Sequence, residues 1–169
     1  MWRDGRVRRG PAVAFDLDGV ISDAAHRQHL LRRDAPDWSA FFRAAAADPV
    51  IERGRRLAAL IASEVIVAIV TARPVDVFDL TVDWLARHEV RWDLLVMRGD
   101  GDERRSSLFK ADVVDALARD GIEVRLALDD DGDNVATYEG RGIPALYVHS
   151  GYYENSGDLW EAHRETPGT

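Results

Sequence analysis

Short apolar runs alternate with helical segments along most of this sequence, and this alternation limits the chain to few types of fold. The clearest run is Val65–Val70, whose residues are apolar and nearly all β-branched. Such a run is typical of a strand that is covered on both faces. Strands that are separated by helices need crossover connections, which make neighbouring strands parallel. The sequence therefore predicts an α/β fold, a mostly parallel sheet with helices on both faces.

The same alternation gives the order of the other elements. Strands are also predicted at Val13–Phe15, Leu94–Met97, Val124–Leu128 and Pro144–Val148. Helices are predicted at Ala24–Arg33, Trp38–Ala47 and Leu108–Arg119, with another after Pro74 that runs to about His88 and a short one after Asp133. One more helix is predicted to begin with Asp48 as its N-cap and to run to about Ser63, with Ile51, Leu57, Leu60 and Ile61 on its apolar side.

The composition is that of a single globular domain over residues 1–169. Hydrophobic residues make up 46% and charged residues 31%, and the length allows a core without cross-links. The absence of cysteine excludes disulfides, thiolate zinc sites and cysteine nucleophiles. No apolar run approaches the ~20 residues of a membrane span, and no signal-peptide pattern is present. We expect a cytoplasmic protein with no membrane partner, and the net charge of −8 argues against general binding to duplex nucleic acid.

Acidic and polar residues follow several predicted strands at the points where the strands end. Asp16 and Asp18 follow the first strand, Thr71 the second, and Asp129 and Asp130 the fourth. The carboxyl ends of parallel strands meet at one edge of a sheet, where ligands bind. Carboxylates crowded at that edge repel one another unless a cation joins them, and Mg²⁺ with a substrate phosphate is the usual partner. The pattern predicts Mg²⁺ as cofactor, with Asp16, Asp18, Asp129 and Asp130 as its ligands.

These residue types also suit phosphate chemistry. A carboxylate beside Mg²⁺ can attack phosphorus to form an aspartyl-phosphate, and a carboxyl two residues later can protonate the leaving oxygen and then activate water. Thr71 and Lys110 would balance the charge of the phosphoryl group. Lys110 is the only lysine among 22 Lys and Arg residues, so composition alone would have given an arginine there. Each residue by itself could instead belong to an ordinary turn or helix cap, but their combined order is far more specific.

Four segments together resemble the motifs of the haloacid-dehalogenase-like phosphohydrolase superfamily. They are Phe15–Val20, Ile69–Arg73, Lys110 and Leu128–Asp130, and the resemblance covers roughly 13–147. It implies a Rossmann-like sheet, Mg²⁺, and an active site with Asp16 as nucleophile and Asp18 as general acid/base. It also implies that Thr71 and Lys110 bind phosphate and that Asp129, with Asp130 close behind, binds the metal.

A narrower resemblance is to the 3′-phosphatase domain of phage polynucleotide kinase–phosphatase. The segments that carry it are His26–His29, Asp37–Phe42, Thr81–Leu85 and Leu95–Arg98. It implies that Arg27, Arg73 and Arg98 bind substrate phosphate, for which guanidinium groups supply paired donors. The chain departs from the family pattern at Ser106, where an acid is frequent, and at Asp131, where arginine is frequent. The phosphate loop of the kinase half, Gly-x-x-x-x-Gly-Lys-Ser/Thr, does not occur in the sequence.

The insert between the first two motifs, about 21–48, is expected to form a small helical cap, and 150–169 a C-terminal tail. Trp38, Phe41 and Phe42 could stack on a base or nucleoside, or they could form the core of the cap, and the second interpretation is favoured. His26 and His29 lie one turn apart. A solvated or capping role is favoured for them over metal binding, because no further ligand pattern accompanies them.

The leading hypothesis is a Mg²⁺-dependent phosphomonoesterase that acts through an aspartyl-phosphate on a nucleotide or polynucleotide 3′-phosphate. One alternative is a phosphatase for small metabolites, such as a nucleoside monophosphate or a sugar phosphate. The other is a phosphate-binding module without turnover. The expected partner is a phosphorylated nucleotide, a nucleic-acid end or a small phosphate ester, and the sequence indicates no oligomeric state.

Overall fold

Five parallel strands form the centre of the structure, a computed structural model that describes residues 1–31 and 35–152. The strands are β1 (Gly10–Phe15), β2 (Ile66–Pro74), β3 (Leu94–Arg98), β4 (Ile122–Asp129) and β5 (Ala145–Tyr147). Their order in the sheet is β3-β2-β1-β4-β5, and every neighbouring pair is parallel. The predicted α/β class with a Rossmann-like parallel sheet is confirmed.

Helices cover both faces of this sheet. They are α1 (Trp38–Arg43), α2 (Glu52–Leu60), α3 (Phe78–Arg87), α4 (Ser106–Arg119) and α5 (Gly132–Glu139), with short 3₁₀ helices at Ala25–Leu30, Ala44–Ala47 and Val75–Val77. None of the helices in the described parts of the chain has the length and apolar character that a membrane crossing requires.

Successive residues of β1 divide the core into two clusters. Ala12 and Ala14 pack with residues of α4 and α5, including Phe109. Val13 and Phe15 pack with residues of α2 and α3, including Trp84. Side chains alternate between the two faces of a strand, so a central strand that is apolar throughout requires a covered surface on each side.

The register of the sheet brings the ends of β1 and β4 to the same level, next to the middle of β2. Phe15 pairs with Ile69 on β2 and with Leu128 on β4. The residues that follow, Asp16 after β1 and Asp129 at the end of β4, therefore leave the sheet side by side. This edge carries the acidic residues that the sequence placed at strand ends.

The helix predicted from Asp48 to Ser63 is shorter and packs differently. It begins at Glu52, and Asp48 does not cap it. Leu57 and Leu60, which we expected on the apolar side, are 44% and 80% exposed. The buried positions of α2 are the small residues Gly54 and Ala58, because the helix lies too close to the chain after β1 for larger side chains.

The cap region is less helical than the sequence suggested. The helix predicted at Ala24–Arg33 is a 3₁₀ helix over Ala25–Leu30, and residues 32–34 lie outside the described residues. The helix predicted at Trp38–Ala47 is α-helical to Arg43 and continues as a 3₁₀ helix. Of the predicted tail, 153–169 also lies outside the described residues.

The variant Gly54→Ala tests how closely α2 approaches the chain after β1. A Cβ added at this position would collide with the backbone carbonyl oxygen of Val20. Helix propensity alone favours Gly54→Ala by about 1 kcal/mol. We expect the clash to dominate, so that chemical denaturation shows a free energy of unfolding lower by about 1–3 kcal/mol. Gly132→Ala on α5 is the matched control, since nothing lies within reach of its added Cβ. Unchanged stability of Gly54→Ala would contradict this packing.

Candidate active site

Three carboxylates lie together at the carboxyl edge of the sheet. Asp16, Asp129 and Asp130 each offer an oxygen, and these oxygens are within 4.8 Å of one another. All three residues are buried. Lys110, from α4, donates hydrogen bonds to Asp16 Oδ1 at 2.7 Å and to Asp129 Oδ2 at 2.6 Å. One ammonium group therefore faces three carboxyl groups.

The remaining oxygens of this acidic cluster differ in their partners. Asp129 Oδ1 accepts hydrogen bonds from the Asn134 side-chain amide at 2.9 Å and from the Asp131 backbone N–H at 3.1 Å. Asp130 Oδ2 is buried and has no hydrogen-bond partner among the described residues. A buried, unpartnered carboxylate oxygen is costly unless a cation binds it.

The pKa values of these groups also indicate that one ammonium group is too little positive charge for three buried carboxyl groups. Burial raises the pKa of Asp16 to about 7, although Lys110 opposes the shift. Burial, with the charge of Asp16, raises the pKa of Asp130 to about 8. Burial would lower the pKa of Lys110, but Asp129 and Asp16 outweigh it and hold that pKa well above its usual value. The donor set therefore fits Mg²⁺, a hard cation that binds carboxylate oxygens.

The carboxylate of Asp18 is not part of this acidic cluster. Its Oδ1 accepts hydrogen bonds from Arg73 Nη2 at 2.5 Å and from Arg27 Nη2 at 2.6 Å. Burial would raise the pKa of Asp18, but the charges of Arg73 and Arg27 outweigh it and lower that pKa. The structure thus groups three of the four predicted metal ligands and pairs the fourth with arginines.

Asp48 completes a buried network with the same two arginines. Its carboxylate accepts from Arg27 Nη2 at 2.7 Å, from Arg73 Nη2 at 3.1 Å and from Ser22 Oγ at 2.5 Å. Both arginines are fully buried. Asp48 was not predicted as a site residue, because an acid before a proline and a helix has the pattern of an N-cap. The two arginines therefore join Asp18 to a second buried carboxylate.

The two histidines of the cap contact Asp48 and the backbone. His26 Nε2 lies 2.8 Å from Asp48 Oδ1, and His29 Nδ1 lies 2.9 Å from the His26 carbonyl oxygen. Within the described ranges, neither belongs to a group of potential metal ligands.

A cavity of about 810 Å³ opens onto this edge of the sheet. Six of the nine predicted site residues are part of its lining, namely Asp16, Asp18, Thr71, Arg73, Arg98 and Asp130. Arg27, Lys110 and Asp129 are not among the residues that line it. The predicted residues thus form two groups, one that faces the cavity and one that supports it from behind.

Thr71 and Arg98, which both line the cavity, form side-chain hydrogen bonds with backbone atoms. Thr71 Oγ1 accepts from the Arg73 backbone N–H at 3.2 Å. Arg98 donates from Nη1 to the carbonyl oxygens of Asp102, at 3.1 Å, and Arg104, and its guanidinium lies 5.5 Å from the ring centre of Phe109. Arg98 therefore also holds the loop that follows β3.

The two departures from the family pattern also line the cavity. Asp131 caps α5 by accepting from the Asp133 backbone N–H at 2.9 Å. Burial raises the pKa of Asp131. Ser106 is the first residue of α4. The acid at 131 thus has a local structural role, and nothing in the structure explains the serine at 106.

The sequence of this chain matches one protein family over most of its length. The family is described as the polynucleotide kinase PNKP phosphatase domain, and the match covers residues 10–153. This chain belongs to that family. Membership among the PNKP phosphatase domains confirms the predicted resemblance and the predicted enzyme class, a HAD-type phosphoric monoester hydrolase. No curated protein matches the sequence at a significant level.

Solved structures share the fold of this PNKP phosphatase domain. A chain of the Pnkp1/Rnl/Hen1 RNA repair complex aligns with a TM-score of 0.68 and 22% identity, over 88% of this chain and 45% of that one. The class C acid phosphatase from Bacillus anthracis aligns with a TM-score of 0.65 and 14% identity, over 96% and 76%. A HAD-superfamily hydrolase from Geobacter sulfurreducens PCA aligns at 0.54 and 16%, over 81% and 86%. The chain thus spans less than half of the chain from the RNA repair complex.

Asp48→Asn tests the buried network. The change removes one of two carboxylates that neutralise two buried arginines, so we expect the free energy of unfolding to fall by about 3–5 kcal/mol in chemical denaturation. Glu52→Gln is the control, since Glu52 also pairs with two arginines, Arg55 and Arg56, but at the surface. The control should unfold like the native protein. If Asp48→Asn were equally stable, Asp48 would not be the anchor of the arginines.

Proposed function

We propose that this chain is a Mg²⁺-dependent phosphomonoesterase that forms an aspartyl-phosphate on Asp16. The observation that carries the proposal is that two carboxyl groups, only two residues apart in the sequence, lie in different electrostatic surroundings. Asp16 lies in the acidic cluster beside Lys110, and Asp18 lies in the arginine network. Both line one cavity. Two carboxyls in different electrostatic surroundings suit the roles of nucleophile and general acid/base.

Asp16, Asp129 and Asp130 would hold Mg²⁺, with the unpartnered Oδ2 of Asp130 as a free ligand atom. When bound, the ion would supply positive charge to the phosphoryl oxygens. Lys110 keeps Asp16 oriented through its hydrogen bond. Its ammonium group also separates the buried carboxylates of Asp16 and Asp129, which would otherwise repel each other.

In the first step, a carboxylate oxygen of Asp16 attacks phosphorus, and the bond from phosphorus to the leaving oxygen breaks. Asp18 donates a proton to that oxygen, which departs as an alcohol. The resting state favours ionised Asp18, since its pKa is lowered mainly by Arg73 and Arg27 against the effect of burial. A phosphate dianion in the cavity would raise the pKa of Asp18 and compete for Arg73, whose Nη1 has no partner among the described residues.

In the second step, Asp18 accepts a proton from water as the water oxygen attacks phosphorus. The bond between Asp16 and phosphorus breaks, which regenerates the Asp16 carboxylate and releases inorganic phosphate. Thr71, Arg73 and Arg98 line the cavity and would bind the phosphoryl oxygens. Arg27 is buried behind them and would act by holding Asp18.

We further propose that the substrate is a nucleotide or polynucleotide 3′-phosphate. The family match and the similarity to a chain of an RNA repair complex support a nucleic-acid end. The loop after β3 adds Arg104 and Arg105 to the cavity lining. Arg104 pairs with Asp102 and Asp112. The Arg105 side chain has no ion pair or hydrogen bond to the parts of the chain that the structure describes, so its charge is available to a phosphodiester.

A small-metabolite phosphatase is the second candidate function. The net charge of −8 favours it, because a polymer of phosphates meets long-range repulsion from an acidic protein. Arg104 is also largely neutralised by its two acidic partners.

Asp16→Asn, together with metal removal, tests the reaction. Phosphate release from a 3′-phosphorylated oligonucleotide should need Mg²⁺, stop with excess chelator and fall by about 10³-fold or more in Asp16→Asn. Asp79→Asn, an exposed acid on α3, is the matched control and should keep full activity. Release only from small phosphate esters would favour the second candidate. Binding without release from any ester would contradict catalysis.

Arg105→Ala tests the polymer substrate. Its removal should weaken binding of a 3′-phosphorylated oligonucleotide to the Asp16→Asn protein and reduce the slope of log K against log salt by about 0.7, the value for one phosphate contact on a single strand. Arg56→Ala on α2, which removes the same charge from a residue that does not line the cavity, should leave the slope unchanged. Equal slopes for Arg105→Ala and the native residue would show that this loop does not contact the polymer backbone.

A further inference from the structure

The three aromatic residues of the cap have different environments. Phe41 is 5% exposed and lies against Arg27, whose guanidinium carbon is 4.1 Å from the ring centre. Trp38 is 55% exposed. The structure therefore divides a group for which the sequence offered two interpretations. Phe41 belongs to the core of the cap, and Trp38 does not.

Phe42 supports Trp38 from one side. Their ring centres are 5.7 Å apart and the rings are inclined by 27°, which is a stacked arrangement. Phe41 meets Trp38 edge-on, with ring centres 5.8 Å apart. The indole is thus held in place by aromatic contacts while about half of its surface stays open to solvent.

Trp38 and Phe42 line the same cavity as Asp16 and Thr71. The cavity volume of about 810 Å³ is within the range of pockets that hold small organic ligands. A ligand whose phosphate reaches Asp16 can therefore extend within one continuous space to the indole of the cap.

We propose that the exposed surface of Trp38, backed by Phe42, stacks on the base of the nucleotide that carries the scissile phosphate. The inference rests on the proposed function and adds a specificity element to it. A nucleobase is the occupant that fits, because it is flat and aromatic and is joined through its sugar to a phosphate. A sugar phosphate lacks the flat aromatic face that a base presents to the indole. Since every base has an aromatic face, Trp38 would not discriminate among terminal bases.

The experiment compares two oligonucleotides that differ only in their 3′-phosphorylated terminal residue, which carries a base in one and is abasic in the other. With the base present, Trp38→Ala should raise KM about 5- to 100-fold, with kcat within about 2-fold of the native value. With the abasic residue, native protein and variant should have the same KM. Trp38→Phe should restore most of the affinity for the base-bearing substrate.

Controls separate stacking from folding. Trp38→Ala removes the ring contacts with Phe41 and Phe42, so thermal unfolding should show a folded protein with a modestly lower midpoint, and the assays are run well below that midpoint. Leu60→Ala, another exposed apolar truncation, should leave KM unchanged for both substrates. Equal effects of Trp38→Ala on the two oligonucleotides would overturn the stacking proposal and leave the proposed function intact. Failure of the native protein to release phosphate from either would overturn the proposed function and this inference together.

Discussion

The shared hydrogen bonds of Lys110 are the interaction on which the site depends. Its ammonium group lies 2.7 Å from Asp16 and 2.6 Å from Asp129, and all three residues are buried. Without that charge, two carboxylates from adjacent strands would face each other away from water. A compact ammonium group fits between two such oxygens, whereas a planar guanidinium needs more room. This gives a physical reason for one lysine in a chain that otherwise uses arginine.

A second buried network keeps Asp18 apart from this cluster. Arg27 and Arg73 each contact both Asp18 and Asp48, so two positive and two negative charges neutralise one another. As a result, the two carboxyl groups that follow β1 have pKa values shifted in opposite directions. Burial raises the pKa of Asp16, whereas the two arginines overcome burial and lower the pKa of Asp18. The insert after β1 supplies both Arg27 and Asp48 to this network, so it belongs to the site as well as covering it.

The sequence predicted the sheet and the strand-end residues, because both follow from local patterns. Apolar runs such as Val65–Val70 are recognised as strands from the sequence alone. Parallel strands have their carboxyl ends at one edge of the sheet, so the residues that follow them are expected to lie close together. Side-chain contacts between residues that are far apart in the sequence could not be predicted in this way. Asp48 has the pattern of a helix N-cap, yet its contacts with Arg27 and Arg73 depend on tertiary packing. Leu57 has the spacing of a buried residue, but the approach of α2 at Gly54 turns that side outward. The exposure of Trp38 likewise depends on how the cap folds.

The most direct measurement is to trap the covalent intermediate. An oligonucleotide labelled in its 3′-phosphate would be mixed with the protein and Mg²⁺, quenched in acid within one turnover, and the protein digested and mapped by mass spectrometry. Nucleophilic attack by Asp16 predicts transient label on the peptide that contains Asp16, and none in Asp16→Asn. Release of labelled phosphate without any labelled protein, or label on a different residue, would contradict the assignment of Asp16 as the nucleophile.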